Sequence, residues 1–250
     1  MYLSGEVHIL QLHAITGQPN EKPQPKIITS MDLKNIFYYW YGYNKEIFLS
    51  INHSFSNLSL QYFFKIISSM FSISSFAIYY ILLSVLLVLY SRKNHFSQQN
   101  FLSFYTYFVK IGMGYAFIGF AYALMKFTVN MPRPYCSLEL GSFITLIDFD
   151  SERCLSSFPS AHTAVVILIS YALWPFSKCL TRIGLVLTCL LVMLSRVVLA
   201  MHYPADILYS VVIAFGLIYL ANLFYRLFEK NLIQYIGIWF YMHLHPKICP

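Results

Sequence analysis

Two stretches of this chain carry no charge at all. Ile66 to Tyr90 and Ile207 to Tyr225 contain no Asp, Glu, Lys or Arg. A helix of about 20 mostly apolar residues spans the hydrocarbon core of a bilayer. Both stretches meet that length, so the chain reads as a polytopic membrane protein. Composition agrees: 58% of the 250 residues are hydrophobic and 11% are charged, where a soluble domain carries about 25% charged. The formal net charge is +7, but many basic residues flank apolar runs, where orientation rules put them. No basic stripe with interleaved aromatics lies outside the membrane segments, which argues against a nucleic-acid partner. The expected partner is the bilayer itself.

The expected fold is all-α, a transmembrane bundle of five to six spans. Residues 1–32 have charges and prolines but no long apolar stretch, and read as a flexible or peripheral tail rather than a signal peptide. Residues 33–57 are aromatic but broken by Asn44, Lys45 and Glu46, and read as an interfacial amphipathic helix. Spans are expected over about 62–90, 101–126, 159–176, 180–200 and 206–227. The embedded domain is placed at 33–230, with 231–250 as a C-terminal surface segment. Arg92 and Lys93, Lys178 and Arg182, and Arg226 and Lys230 then fall on one side, the cytoplasmic one. The 127–157 loop and the turn at 201–206 fall on the other.

Ionisable residues at or inside spans are costly and suggest function. Three clusters of them map to the outer side. The first is Lys126, six residues, then Arg133-Pro134. The second is Pro159-Ser160-Ala161-His162. The third is Ser195-Arg196, five residues, His202, three residues, Asp206. Lys126, Arg133 and Arg196 bring three cations to one locality, where they would repel unless an anion joined them. Guanidinium groups match tetrahedral oxyanions through paired hydrogen bonds. A helix opening at Ser160 would leave the Ala161 and His162 N–H groups for a phosphate, with the Ser160 hydroxyl as a further donor. With Pro204 in a first helical turn, Asp206 can fold back to one nitrogen of His202 and leave the other to attack phosphorus. His162 can protonate the leaving alcohol. The intermediate would be a phosphohistidine.

These three stretches resemble the signature of the type-2 phosphatidic acid phosphatase family, which shares its core with vanadium haloperoxidases. The first and third match in spacing and order; in the second, Ala161 stands where the family usually has Gly. The resemblance covers about residues 60–228. It implies a helical bundle with the site near the outer membrane surface and a lipid phosphate ester or pyrophosphate as substrate. It implies Lys126, Arg133, Ser160, Ala161 and Arg196 at the phosphate, and His202, His162 and Asp206 in catalysis, with no metal and no cofactor. Short loops and compact size resemble bacterial members, which points to the inner membrane with the site facing the periplasm or cell exterior. Lipid A phosphates, undecaprenyl pyrophosphate, phosphatidylglycerophosphate and phosphatidate all fit such a site, with a lean to lipid A.

Other readings compete. A phosphate or lipid transporter also carries intramembrane cations, but repeated halves and interrupted helices are not visible here. A catalytically silent lipid-binding relative is opposed by the complete His162, His202 and Asp206 set. His53, His95, His243 and His245 match no motif and read as interfacial or solvated; Asp148, Asp150 and Glu152 read as a solvated loop. Cys136 and Cys154 share the outer loop and can form a disulfide in an oxidising compartment. Cys179, Cys189 and Cys249 read as inert thiols.

Overall fold

The computed structural model describes residues 33–146 and 153–244. The expectations placed on residues 1–32, Asp148, Asp150, Glu152, His245 and Cys249 lie outside them. The described residues form helices and connecting loops. An irregular helical stretch, Asn35–Tyr39 and Trp40–Gly42, leads into α1 (Tyr43–Ser54). Then come α2 (Leu58–Met70), α3 (Ile73–Lys93), α4 (Gln98–Val129) and the short α5 (Pro134–Ser137). After the outer loop follow α6 (Ala161–Leu173), α7 (Cys179–Val198), α8 (Pro204–Phe228) and α9 (Gln234–Leu244).

Polar side chains set the helix starts. Asn57, Ser72 and Ser97 each accept a backbone N–H from the first turn of α2, α3 and α4. The helices beginning at Ile73, Gln98, Cys179 and Pro204 are long and apolar enough to cross a membrane, and Ala161–Phe176 is a shorter apolar helix. Their outward faces are apolar, as with Leu82, Leu86 and Leu89 of α3 and Val212, Phe215 and Tyr219 of α8. A helix satisfies its own backbone groups, which is what lets these faces meet lipid. The chain is a helical membrane bundle.

The core lies where α4, α6 and α8 meet, with α7 against α6. Ile118 and Tyr122 of α4, Val165 and Leu168 of α6, and Ala214 and Ile218 of α8 fill it. Gly114 lets α4 approach α6, since a Cβ there would stand 2.9 Å from Leu168 Cδ1. The Tyr122 hydroxyl, buried in this core, donates to Ser210 O at 2.9 Å.

Three segments differ from the sequence reading. The single span expected over 62–90 is two helices that break at Phe71–Ser72. The Ser72 hydroxyl starts α3 afresh by accepting from Ser75 N at 3.0 Å, and α2 packs against α7 instead of continuing α3. Residues 35–54 are not merely interfacial. Phe48, Asn44 and Asn52 are buried, and this part of the chain straps across α7 and α8. The C-terminal segment continues α8 through one wide turn, Glu229–Ile233, and α9 packs on α4. Gly237 makes that contact close, because a Cβ there would lie 2.6 Å from Tyr105 and 2.8 Å from Leu102.

Candidate active site

All three polar clusters come to one end of the bundle. Lys126 closes α4, Ser160 caps α6, Arg196 sits in the last turn of α7, and Asp206 in the first turn of α8. Arg133 precedes α5 in the loop over them.

The loop residues just before α6 hold two of the cations. Arg133 is buried, and its Nε and Nη2 donate to Ser156 Oγ at 3.2 and 3.0 Å. Lys126 Nζ donates to the Ser156 carbonyl at 3.0 Å. Arg133 N donates to Cys154 O at 2.9 Å, and a Cys136–Cys154 disulfide ties the two strands of the loop together. The disulfide that the sequence left open is therefore formed. Arg196 reaches the opposite way, with Nη1 donating to Ser68 Oγ of α2.

Ser160 is wholly buried. Its N–H is taken by Ser210 Oγ at 2.6 Å, and its Oγ accepts from Thr163 Oγ1 at 3.1 Å, which leaves its own proton to donate. Ala161 and His162 open α6, where N–H groups have no partner within the helix. Ala161 has ordinary right-handed backbone, since it is not among the positive-φ residues. The exchange of Gly for Ala thus costs no backbone strain at this position.

His202 follows a tight turn at the end of α7. Met201 N and His202 N both donate to Arg196 O, and Ala200 adopts φ of 56°. Left-handed backbone is uncommon for a residue with a Cβ, and it turns the chain so that His202 lies beside Arg196. The His202 ring is almost fully buried. Asp206 does fold back towards it, but Nδ1 stands 3.6 Å from Oδ2, and Nδ1 makes no hydrogen bond among the described residues. That distance is too long for a hydrogen bond. Burial, and then the charges of Arg196, Arg133 and Lys126 with His162, hold the His202 pKa well below its ordinary value. Both effects favour the neutral ring, with a lone pair available.

Asp206 is fully buried and has partners that the motifs do not reveal. Oδ1 accepts from the Tyr38 hydroxyl at 2.8 Å, and Oδ2 from Ser157 Oγ and from Tyr203 N at 2.8 Å. The last of these caps α8, whose first residue is Pro204. Elsewhere, His53 Nε2 lies 2.9 Å from Ser142 O, and His243 Nδ1 lies 2.8 Å from Trp239 O. Among the described residues no group of three His, Cys, Asp or Glu side chains is placed to share a metal ion.

The model of the PAP2 superfamily matches residues 106–231. The chain belongs to the PAP2 superfamily. The match covers all three clusters. The chain is similar in fold to the crystal structure of Aquifex aeolicus LpxE, with a TM-score of 0.53 and 20% sequence identity over 72% of this chain and 94% of that one. No curated protein matches.

Proposed function

We propose that this PAP2 protein removes phosphate from a lipid of the cell envelope, with His202 as nucleophile. Neutral His202 attacks phosphorus through Nε2, since Nδ1 faces Asp206. The P–O bond to the lipid breaks, and His162 gives its proton to the departing oxygen. Water then attacks the phosphohistidine, His162 takes a proton from it, the P–N bond breaks and inorganic phosphate leaves. Lys126, Arg133 and Arg196, with the Ser160 hydroxyl and the Ala161 and His162 N–H groups, hold the phosphoryl oxygens and stabilise charge in the transition state. Asp206 orients His202. None of these steps draws on a metal or a cofactor.

One observation carries this reading: Lys126 and Arg133 meet at Ser156, and the neighbouring Ser157 bonds Asp206, which lies 3.6 Å from His202, although these groups come from segments far apart in the chain. Basic residues at the far ends of the helices support a site that faces the periplasm or cell exterior of a bacterial inner membrane. Lipid A phosphate is the first substrate to try.

Purified protein incubated with lipid A, undecaprenyl pyrophosphate, phosphatidylglycerophosphate and phosphatidate should release phosphate from at least one. His202→Ala should abolish release while folding and insertion persist; full activity in that variant would falsify the nucleophile. EDTA should leave the rate nearly unchanged and vanadate should inhibit. Strong inhibition by EDTA would remove the metal-free part of the proposal. Movement of lipid across a bilayer without phosphate release would favour a transporter.

A further inference from the structure

We infer that Tyr38 is a positioning residue of the active site, fixing the Asp206 carboxylate through the strap formed by residues 35–54. The inference rests on the reading of His202 and Asp206 given above. Tyr38 is buried, and its hydroxyl donates to Asp206 Oδ1 at 2.8 Å across 168 residues of sequence. Its ring lies between the two motifs that flank the nucleophile, 6.4 Å from Phe158 and 6.5 Å from Tyr203, edge-on to both. The strap is bonded to α8 at two further points. Asn44 Oδ1 accepts from Ala205 N at 3.0 Å, and the Tyr209 hydroxyl donates to Phe37 O. Phe48 packs on Tyr203 at 5.4 Å.

The chemistry explains why a phenol is used. Ser157 and Tyr203 N both bond Oδ2, so those two bonds alone would let the carboxylate plane turn about that oxygen. The Tyr38 hydroxyl pins Oδ1 and so fixes the edge that Oδ2 shows to His202. Burial, and then the Asp206 charge, push the phenol above its usual range, so it stays a donor. The groups that face His202 are Arg196 of α7, Arg133 of the loop, Lys126 of α4, His162 of α6 and Asp206 of α8; Tyr38, Ser157 and Tyr203 face Asp206. With Tyr38 silent, the carboxylate loses one donor and attracts an imidazolium more strongly. The His202 ring then holds its proton to higher pH.

The test is Tyr38→Phe in the full chain, with Tyr39→Phe as control, since Tyr39 is exposed beside it. Phosphate release from the best lipid of the panel gives kcat and KM, and NMR of histidine-labelled protein gives the His202 titration. Tyr38→Phe should lower kcat about tenfold or more, as loss of a hydrogen bond to a charged group does, with KM within about twofold. His202 should titrate at higher pH than in wild type, and Tyr39→Phe should change neither. A fall in kcat with an unmoved His202 titration would mean that Tyr38 only packs, and unchanged kcat would equally overturn the inference. If wild type releases phosphate from no lipid, the phosphatase proposal fails, and the His202 titration alone then decides whether Tyr38 acts on Asp206. If Tyr38→Phe does not fold, the phenol is read in place from the Tyr38 Cζ resonance of wild type against Asp206→Asn. A resonance that does not move overturns the inference.

Discussion

His202 Nδ1 lies 3.6 Å from Asp206 Oδ2, beyond hydrogen-bonding distance, and that oxygen already accepts from Ser157 Oγ and Tyr203 N. A carboxylate oxygen offers about two acceptor sites, and both are in use. The pair is therefore held near contact by other residues rather than by its own bond. In the proposed mechanism, a phosphorylated His202 would carry positive charge, and its Nδ1 proton would compete with Ser157 for Oδ2.

The resting ring sets the pH dependence. Burial and three neighbouring cations lower the His202 pKa, so the neutral, attacking form persists to lower pH than for an ordinary histidine near 6.5. The acid limb of kcat/KM, which reports the free enzyme, should lie below that value. A bound phosphate adds negative charge and raises the pKa, so the acid limb of kcat should lie above that of kcat/KM. Phosphate release measured across pH checks both; a kcat/KM limb at or above the ordinary histidine value would contradict the burial argument.

Ser156 holds Arg133 and Lys126, the cations proposed to bind phosphate. Its hydroxyl accepts two N–H bonds from Arg133, and Ser156→Ala leaves that guanidinium less fixed. Bonds to charged groups contribute about 1.5–3 kcal/mol each, and the loss of fixation equivalent to even one of them should lower the apparent affinity for lipid phosphate about tenfold or more. The Lys126 contact goes to the Ser156 carbonyl and should survive. Steady-state KM and competition by inorganic phosphate measure the loss; an unchanged KM would show that Arg133 needs no such support.

The disulfide predicts redox sensitivity. Cys136 and Cys154 are 18 residues apart, and closing a loop of this size contributes about 3 kcal/mol. Cys154→Ser should lower the melting temperature and raise KM together, because Arg133 N is bonded to Cys154 O. In native membranes both thiols should resist labelling until reductant is added. Free labelling without reductant would show the bond absent in the cell.

The contact of α9 with α4 can be separated from the chemistry. Gly237→Val would press a branched side chain into Tyr105 and Leu102, and overpacking costs about 1–3 kcal/mol. The variant should melt at lower temperature and keep its KM. Unchanged stability would mean that α9 does not need this close packing.

The motif residues were legible because charge inside apolar sequence has few innocent explanations. Lys126, Arg133, His162, Arg196, His202 and Asp206 stand out for that reason, and the spans around them follow from length and hydropathy. Tyr38 did not stand out, because it is one of 21 tyrosines and its role comes from a partner far away in the chain. Ser156 and Ser157 lay beside a motif without forming one. The break at Phe71–Ser72 was masked by a run without charges; the spacing of Ser72 and Ser75, whose N–H the capping Ser72 hydroxyl accepts, was the available signal. The packing of α9 was missed because a short apolar segment looks alike whether it rests on lipid or on a neighbouring helix.

The bond from Tyr38 to Asp206 also has a meaning for biosynthesis. The phenol leaves the ribosome early and must wait for a carboxylate translated 168 residues later. Until α8 has been made and the first segment has closed over it, the Asp206 carboxylate lacks one of its three donors. That bond can form only after seven of the described α-helices have already been translated.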